Sequence, residues 1–173
     1  MDIEELYIDK DYVTNGISSS NIYSVDSKVL IDVGSSGNAG QKEFEDFSEI
    51  ETVVITYAHE THTDNLEKFS NRNIEIYCAE PQRWEIKHYA PNQEIHYLED
   101  KDTLELAGYK FQVLIFEDST INRKKLALYS PENKILFSGD VSLENFEDLD
   151  VKQIYPAHKR PIKESVQEAI SDK

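Results

Sequence analysis

Two histidines, His59 and His62, sit three apart in the segment Tyr57-Ala58-His59-Glu60-Thr61-His62-Thr63-Asp64, with carboxylates and hydroxyls between them. Imidazoles beside carboxylates suit metal coordination or proton transfer. The segment follows Thr52-Val53-Val54-Ile55, a β-branched run with the length and composition of a buried strand. In a continuing strand, an odd spacing would throw the two rings to opposite faces. On a turn or helical path, three apart is the same face. The rings therefore converge only if the strand stops near Ala58, which predicts a site at a strand's carboxyl end, where open α/β sheets bind ligands. Two further apolar runs end in chemistry-bearing residues: Ser138-Gly139-Asp140 and Pro156-Ala157-His158.

Composition limits what such a site can serve. With 39% hydrophobic and 30% charged residues over 173 positions, the chain reads as one globular domain spanning 1–173. No apolar run approaches the roughly 18–20 residues of a membrane span, so no membrane partner is expected. Met1-Asp2-Ile3-Glu4-Glu5 lacks the basic start and apolar core of a signal peptide, so a cytoplasmic location is expected. The formal charge is −16, from 34 acidic and 18 basic residues, which argues against a nucleic acid partner. Arg123-Lys124-Lys125 and Lys159-Arg160 read as solvated loop charges. A single cysteine, Cys78, allows no intrachain disulfide and reads as a buried structural thiol. His88 and His96 read as surface residues, and Trp84 and the tyrosines as packing. The oligomeric state is not legible in the sequence.

The elements that must position these groups are mostly strands. Residues 6–12 suggest an opening strand closed by a turn at Asn15-Gly16. Residues 20–33 suggest a hairpin turning at Asp26-Ser27 and running into Asp32-Val33-Gly34-Ser35-Ser36-Gly37, a flexible loop without the Lys-Ser/Thr of a P-loop. Helices are expected over 39–48, 66–70, 81–88 and 161–170, the last with Ile162, Val166, Ala169 and Ile170 at helical spacing. Strands are expected at 74–78, 94–98, 103–106 and 109–116, and a hairpin at 126–137 turns at Pro131-Glu132-Asn133.

Taken in order, Asp32-Val33-Gly34, the segment from Ile55 to His62, Leu136-Phe137-Ser138-Gly139-Asp140 and Pro156-Ala157-His158 resemble the four motifs of the metallo-β-lactamase superfamily. The resemblance covers nearly the whole chain. It implies an α/β (α+β) fold, a four-layer αββα sandwich, with a metal site at one edge between two sheets. It also implies a ligand set of His59, His62, Asp140 and His158. Tyr57 stands where the superfamily's first histidine belongs, and Thr61 replaces its aspartate. The segment Phe116-Glu117-Asp118-Ser119-Thr120-Ile121 lacks the mid-chain histidine. The expected cofactor is one divalent ion, zinc first and iron or manganese next, or none if the site has decayed. Glu60, Asp64, Glu117 and Asp118 are the carboxylates available to stand in for missing ligands. Asp32 is expected to brace the site loop.

Two functions follow from this. The first is a mononuclear metal-dependent hydrolase of an ester, thioester or lactone bond in a small molecule. In it Asp140 would act at the reacting centre, and Tyr57 and Thr61 would donate hydrogen bonds to the developing charge. The alternative is a catalytically inactive pseudoenzyme that keeps the fold as a binding or scaffolding module.

Overall fold

The computed structural model describes residues 1–7, 19–35, 47–79, 83–118 and 123–171. Eleven strands form two sheets among these residues. The first sheet has the spatial order β1 (Ile3–Tyr7), β2 (Ile22–Val25), β3 (Val29–Ile31), β4 (Thr52–Ile55), β5 (Glu75–Ala79) and β6 (Glu94–Leu98). Its first two pairings are antiparallel and the remaining three parallel. The second sheet has the order β11 (Gln153–Pro156), β10 (Ile135–Gly139), β9 (Arg123–Ser130), β8 (Tyr109–Asp118) and β7 (Thr103–Leu106). Only its β10–β11 pair is parallel.

Strand alternation explains the layering. Val29, Ile31 and Val54 point between the sheets and pack with Phe111, Val113, Leu126, Leu128 and Phe137 of the second sheet. Their neighbours Leu30, Val53 and Ile55 face outward and are covered by Leu66, Phe69 and Ile86 from helical segments. On the far side, Ala127, Leu136 and Ile154 are covered by Phe146 and Val166. The result is the expected helix–sheet–sheet–helix sandwich. β4 is buried on both faces, as its unbroken β-branched run requires. Each such side chain contributes roughly 1.5–3 kcal/mol of burial.

Several expected elements stand where the sequence puts them. Asp26 and Ser27 both take positive φ (48° and 56°), the primed turn that matches hairpin twist, and the Lys28 N–H closes it on the Val25 carbonyl at 3.1 Å. A strand stands at Ile3–Tyr7, and residues 8–12 of the expected opening strand lie outside the described residues. The turn at Asn15-Gly16, most of the helix over 39–48 and the start at Pro81 lie outside the described residues. The C-terminal helix is shorter than its apolar spacing predicts. It runs Val166–Ser171 because Ser165 and Glu168 form a capping box: Ser165 N–H donates to Glu168 Oε2 at 2.9 Å, and Glu168 N–H donates to Ser165 Oγ at 3.3 Å. Ile162 is instead drawn into an antiparallel bridge with Ile154. Arg123-Lys124-Lys125 is the half-buried start of β9, not a loop. Cys78 is buried, His88 is exposed, and His96 is half-buried against the Tyr77 ring at 4.7 Å. No helix among the described residues is long and apolar enough to cross a membrane.

One glycine fixes how closely the sheets meet at the site. Gly139 ends β10 with φ +54°, and a Cβ there would come within 2.9 Å of Leu126 O and of Thr56 Cβ and Oγ1. Gly139→Ala combines left-handed strain with overpacking. It is expected to cost roughly 2–4 kcal/mol in urea unfolding, while Gly108→Ala, which meets open space, is expected to show only the cost of its positive φ.

Candidate metal centre

β4 stops at Ile55, and a short turn leads into helix α1 (Glu60–Thr63). His59 is the N-cap of α1, with its Nδ1 accepting from Thr61 N–H at 3.4 Å and lying 3.0 Å from Thr61 Oγ1. His62, one turn on, is turned inward and fully buried. The two rings take different roles. Capping holds one at the rim, and the helix carries the other into the core.

His62 is gripped from the opposite strand. Asp32 follows β3 with φ +58°, a conformation that costs about 1–2 kcal/mol for a non-glycine residue. It turns the carboxylate toward the end of β4, where Oδ1 accepts Thr56 N–H at 2.8 Å and Oδ2 accepts Thr56 Oγ1–H at 2.7 Å. The same Oδ2 lies 2.9 Å from His62 Nδ1. The other ring nitrogen, Nε2, is buried and makes no hydrogen bond; it faces Asp140 Oδ2 at 3.4 Å. Asp140 Oδ1 in turn lies 3.1 Å from His158 Nε2. The His62 and His158 rings meet edge to face with centroids 5.3 Å apart.

Asp140 and His158 are brought together by the parallel β10–β11 pair. Ala157 N–H donates to the Gly139 carbonyl at 3.2 Å, so the two strand ends stay in step. The turn bearing His158 is strapped to the first hairpin. The Asn21 side-chain amide donates to the carbonyls of Pro156 (2.8 Å) and Lys159 (2.6 Å), and Tyr23 O–H donates to Pro156 at 2.7 Å. This strap was invisible in the sequence: Asn21 and Pro156 lie 135 positions apart. Tyr57 is buried, stacked on His59 at 5.9 Å and edge-on to His62 at 5.8 Å. Thr61 spends its hydroxyl on His59.

His62, Asp140 and His158 each offer a ligand atom within 4.8 Å of the others, the one such group among the described residues; His59 is not part of it. Two imidazole nitrogens and a carboxylate oxygen fit zinc, ferrous iron or manganese. The fit rests on His62 Nε2, a buried nitrogen with no hydrogen bond, aimed into the group. Asp32 supplies the carboxylate that metal-bound histidines usually carry on their other nitrogen. Charge points the same way. Burial pushes the His62 pKa down, but Asp32 and Asp140 on its two sides more than offset this and raise it to about 10. Burial likewise raises Asp140, yet His158 and His62 hold it well below the usual carboxylate range. Two carboxylates facing one buried imidazole draw in positive charge, whether a proton or an ion.

No family model and no curated protein matches the chain. Solved structures do. A metallo-β-lactamase family protein from Thermus thermophilus superposes with a TM-score of 0.74 at 18% identity, covering 99% of this chain and 78% of that one. The flavodiiron protein from Giardia intestinalis gives 0.74 at 18%, covering 98% and 56%. A chemotaxis sensor solved as a peroxy diiron species gives 0.69 at 14%, covering 98% and 88%. The chain has the metallo-β-lactamase fold.

The titration has a definite sign in metal-free protein. Because the folded pKa of His62 is raised, its stabilisation is complete below about pH 6.5 and is lost as pH rises through about 10. Asp140, depressed, acts in the other direction: its share is present above about pH 4 and is lost as pH falls further. Denaturant midpoints from pH 5 to 10 are expected to fall along the alkaline arm. Asp32→Asn should flatten that arm, and an unchanged slope would count against the Asp32–His62 pair.

Proposed function

We propose that this chain is a metal-dependent hydrolase with a single-ion site held by His62, Asp140 and His158, acting on an ester, thioester or lactone bond of a small molecule. The observation that carries this reading is the buried, unbonded Nε2 of His62, facing the carboxylate that also takes His158. Zinc is the expected ion. A divalent ion here would acidify water toward neutral pH and polarise a carbonyl.

The chain's own residues set up that chemistry. With an ion bound in place of the Nε2 proton, Asp32 would accept from Nδ1–H and so hold Nε2 toward that ion. Thr56 holds both oxygens of Asp32, so the carboxylate cannot swing away. Asp140 stands between the two imidazoles and is placed to orient a water as well as to ligate. Tyr57 forms the wall beside His62 and supplies a phenol donor for an oxyanion. Thr61 acts through His59 and is a positioning residue. A two-ion centre needs more ligands than the three grouped here.

A non-catalytic binding or scaffolding role is favoured by one observation. Tyr57 and Thr61, at the places of two ligands in the resembled motif, are both occupied with His59.

Elemental analysis of purified protein soaked with zinc, iron or manganese separates the two. About one equivalent per chain is expected, lost in His62→Ala/His158→Ala and sharply reduced in His158→Ala alone, a partly exposed position that leaves the core intact. Metal-loaded wild type should then turn over members of an ester, thioester and lactone panel. No bound metal under any condition overturns the hydrolase reading. Metal without turnover supports the binding module.

A further inference from the structure

The two imidazoles that meet at the site are carried by different sheets, so strand pairing within a sheet does not set their spacing. His62 follows β4 of the first sheet, and His158 follows β11 of the second. One dipeptide touches both turns. Ser20 and Asn21 stand just ahead of β2 and are fully buried. Ser20 N–H donates at 2.8 Å to the carbonyl of Thr61, the residue before His62. Asn21 N–H donates to the carbonyl of Ala157, the residue before His158. Successive backbone donors thus grip the residue in front of each imidazole.

The Asn21 side chain extends the grip. Its Nδ2 donates to the Pro156 carbonyl at 2.8 Å and to that of Lys159 at 2.6 Å, so one amide bridges the two sides of His158. Tyr23 adds its hydroxyl to Pro156 at 2.7 Å. Residues 157–160 belong to neither helix nor strand, so outside partners must pair their backbone groups and thereby set their path. A role in stability alone would be met by any partners for these carbonyls. Here they come from the same two residues that hold Thr61, with Tyr23 in support. The outcome is the edge-to-face meeting of the rings at 5.3 Å, with Asp140 3.4 Å from one and 3.1 Å from the other.

We propose that Ser20-Asn21 is a clamp that sets the separation of His62 and His158, with Asn21 the positioning residue for His158; its bearing on metal rests on His62, Asp140 and His158 being the ion site. A donor set holds an ion tightly only when its atoms are fixed near the ion's own bond lengths, and zinc–nitrogen bonds of about 2.0–2.1 Å leave little slack. Asn21 touches no reacting atom. It acts by holding the chain on both sides of a ligand, the kind of outer support on which metal affinity depends.

Two measurements on the full chain decide this. In metal-free protein, NMR on labelled histidine rings is expected to show cross-relaxation between the His62 and His158 ring protons, as edge-to-face rings 5.3 Å apart require. Asn21→Ala is expected to lose most of it, and Asn21→Ser, which keeps a single short donor, to lose less. Leu104→Ala, a core variant in β7 at the opposite edge of the second sheet from β11, should leave it unchanged. Thermal melts establish which variants are folded, and Asn21→Ser carries the test if Asn21→Ala is not. Zinc titration is the second readout. Asn21→Ala is expected to bind about tenfold more weakly than wild type, while Leu104→Ala, destabilised by its own cavity, keeps wild-type affinity. Full ring contact in the folded Asn21 variant, or an equal loss in Leu104→Ala, overturns the clamp. Lost contact with unchanged zinc affinity overturns the positioning role of Asn21. If wild type binds no zinc, the hydrolase reading falls, while the ring contact still decides the clamp.

Discussion

A carboxylate and an imidazole, both removed from water, set the terms for the rest of this molecule. Isolated, either charge would be costly to bury; together, and with Thr56 donating twice to Asp32, they form a closed unit at the junction of β3, β4 and α1. The backbone strain at Asp32 is tolerated because this pairing and the adjacent sheet hydrogen bonds over-determine it. The second sheet then completes the arrangement by bringing Asp140 to the free side of His62. Breaking such a unit at one partner leaves a stranded buried charge, which is why the fold and the site cannot be varied independently here.

Much of the architecture could be read in advance from local pattern. The β-branched run at 52–55, the alternating Glu75–Ala79 and the positive-φ turn at Asp26-Ser27 carry their structure in their composition. The strand ends at Ser138-Gly139-Asp140 and Pro156-Ala157-His158 were visible for the same reason: an apolar run stopping in a polar residue marks an edge. What could not be read was the partnership between distant residues. Asp32 was legible as a brace, but not as the residue that fixes a particular ring nitrogen. Asn21 gave no signal at all, since its value lies in carbonyls over a hundred positions away. For His59, the helix cap it provides was not legible in the spacing.

The structural likenesses reach both metallo-β-lactamase family and flavodiiron proteins, at 13–18% identity. At that distance the shared scaffold does not choose between hydrolysis and redox chemistry, because function resides in the groups grafted onto a fold. The choice falls to this chain's own donors. A single carboxylate between two imidazoles, with aromatic and hydroxyl side chains in neighbouring places, is the arrangement on which the single-ion proposal rests.

The bond from Leu126 N–H to the Thr56 carbonyl crosses from one sheet to the other at the very residue that holds Asp32. Its consequence concerns the order in which the molecule comes into being. A growing chain can form the Asp32–His62 unit once β3, β4 and α1 have emerged, but Asp140 and His158 arrive only with the second sheet. The complete donor set therefore exists only after the two halves have docked, and contacts spanning such separations form late. During synthesis the half-built centre is an imidazole locked to a carboxylate, a poor trap for stray ions. The proposed ion site is thus whole only once the walls that surround it are in place.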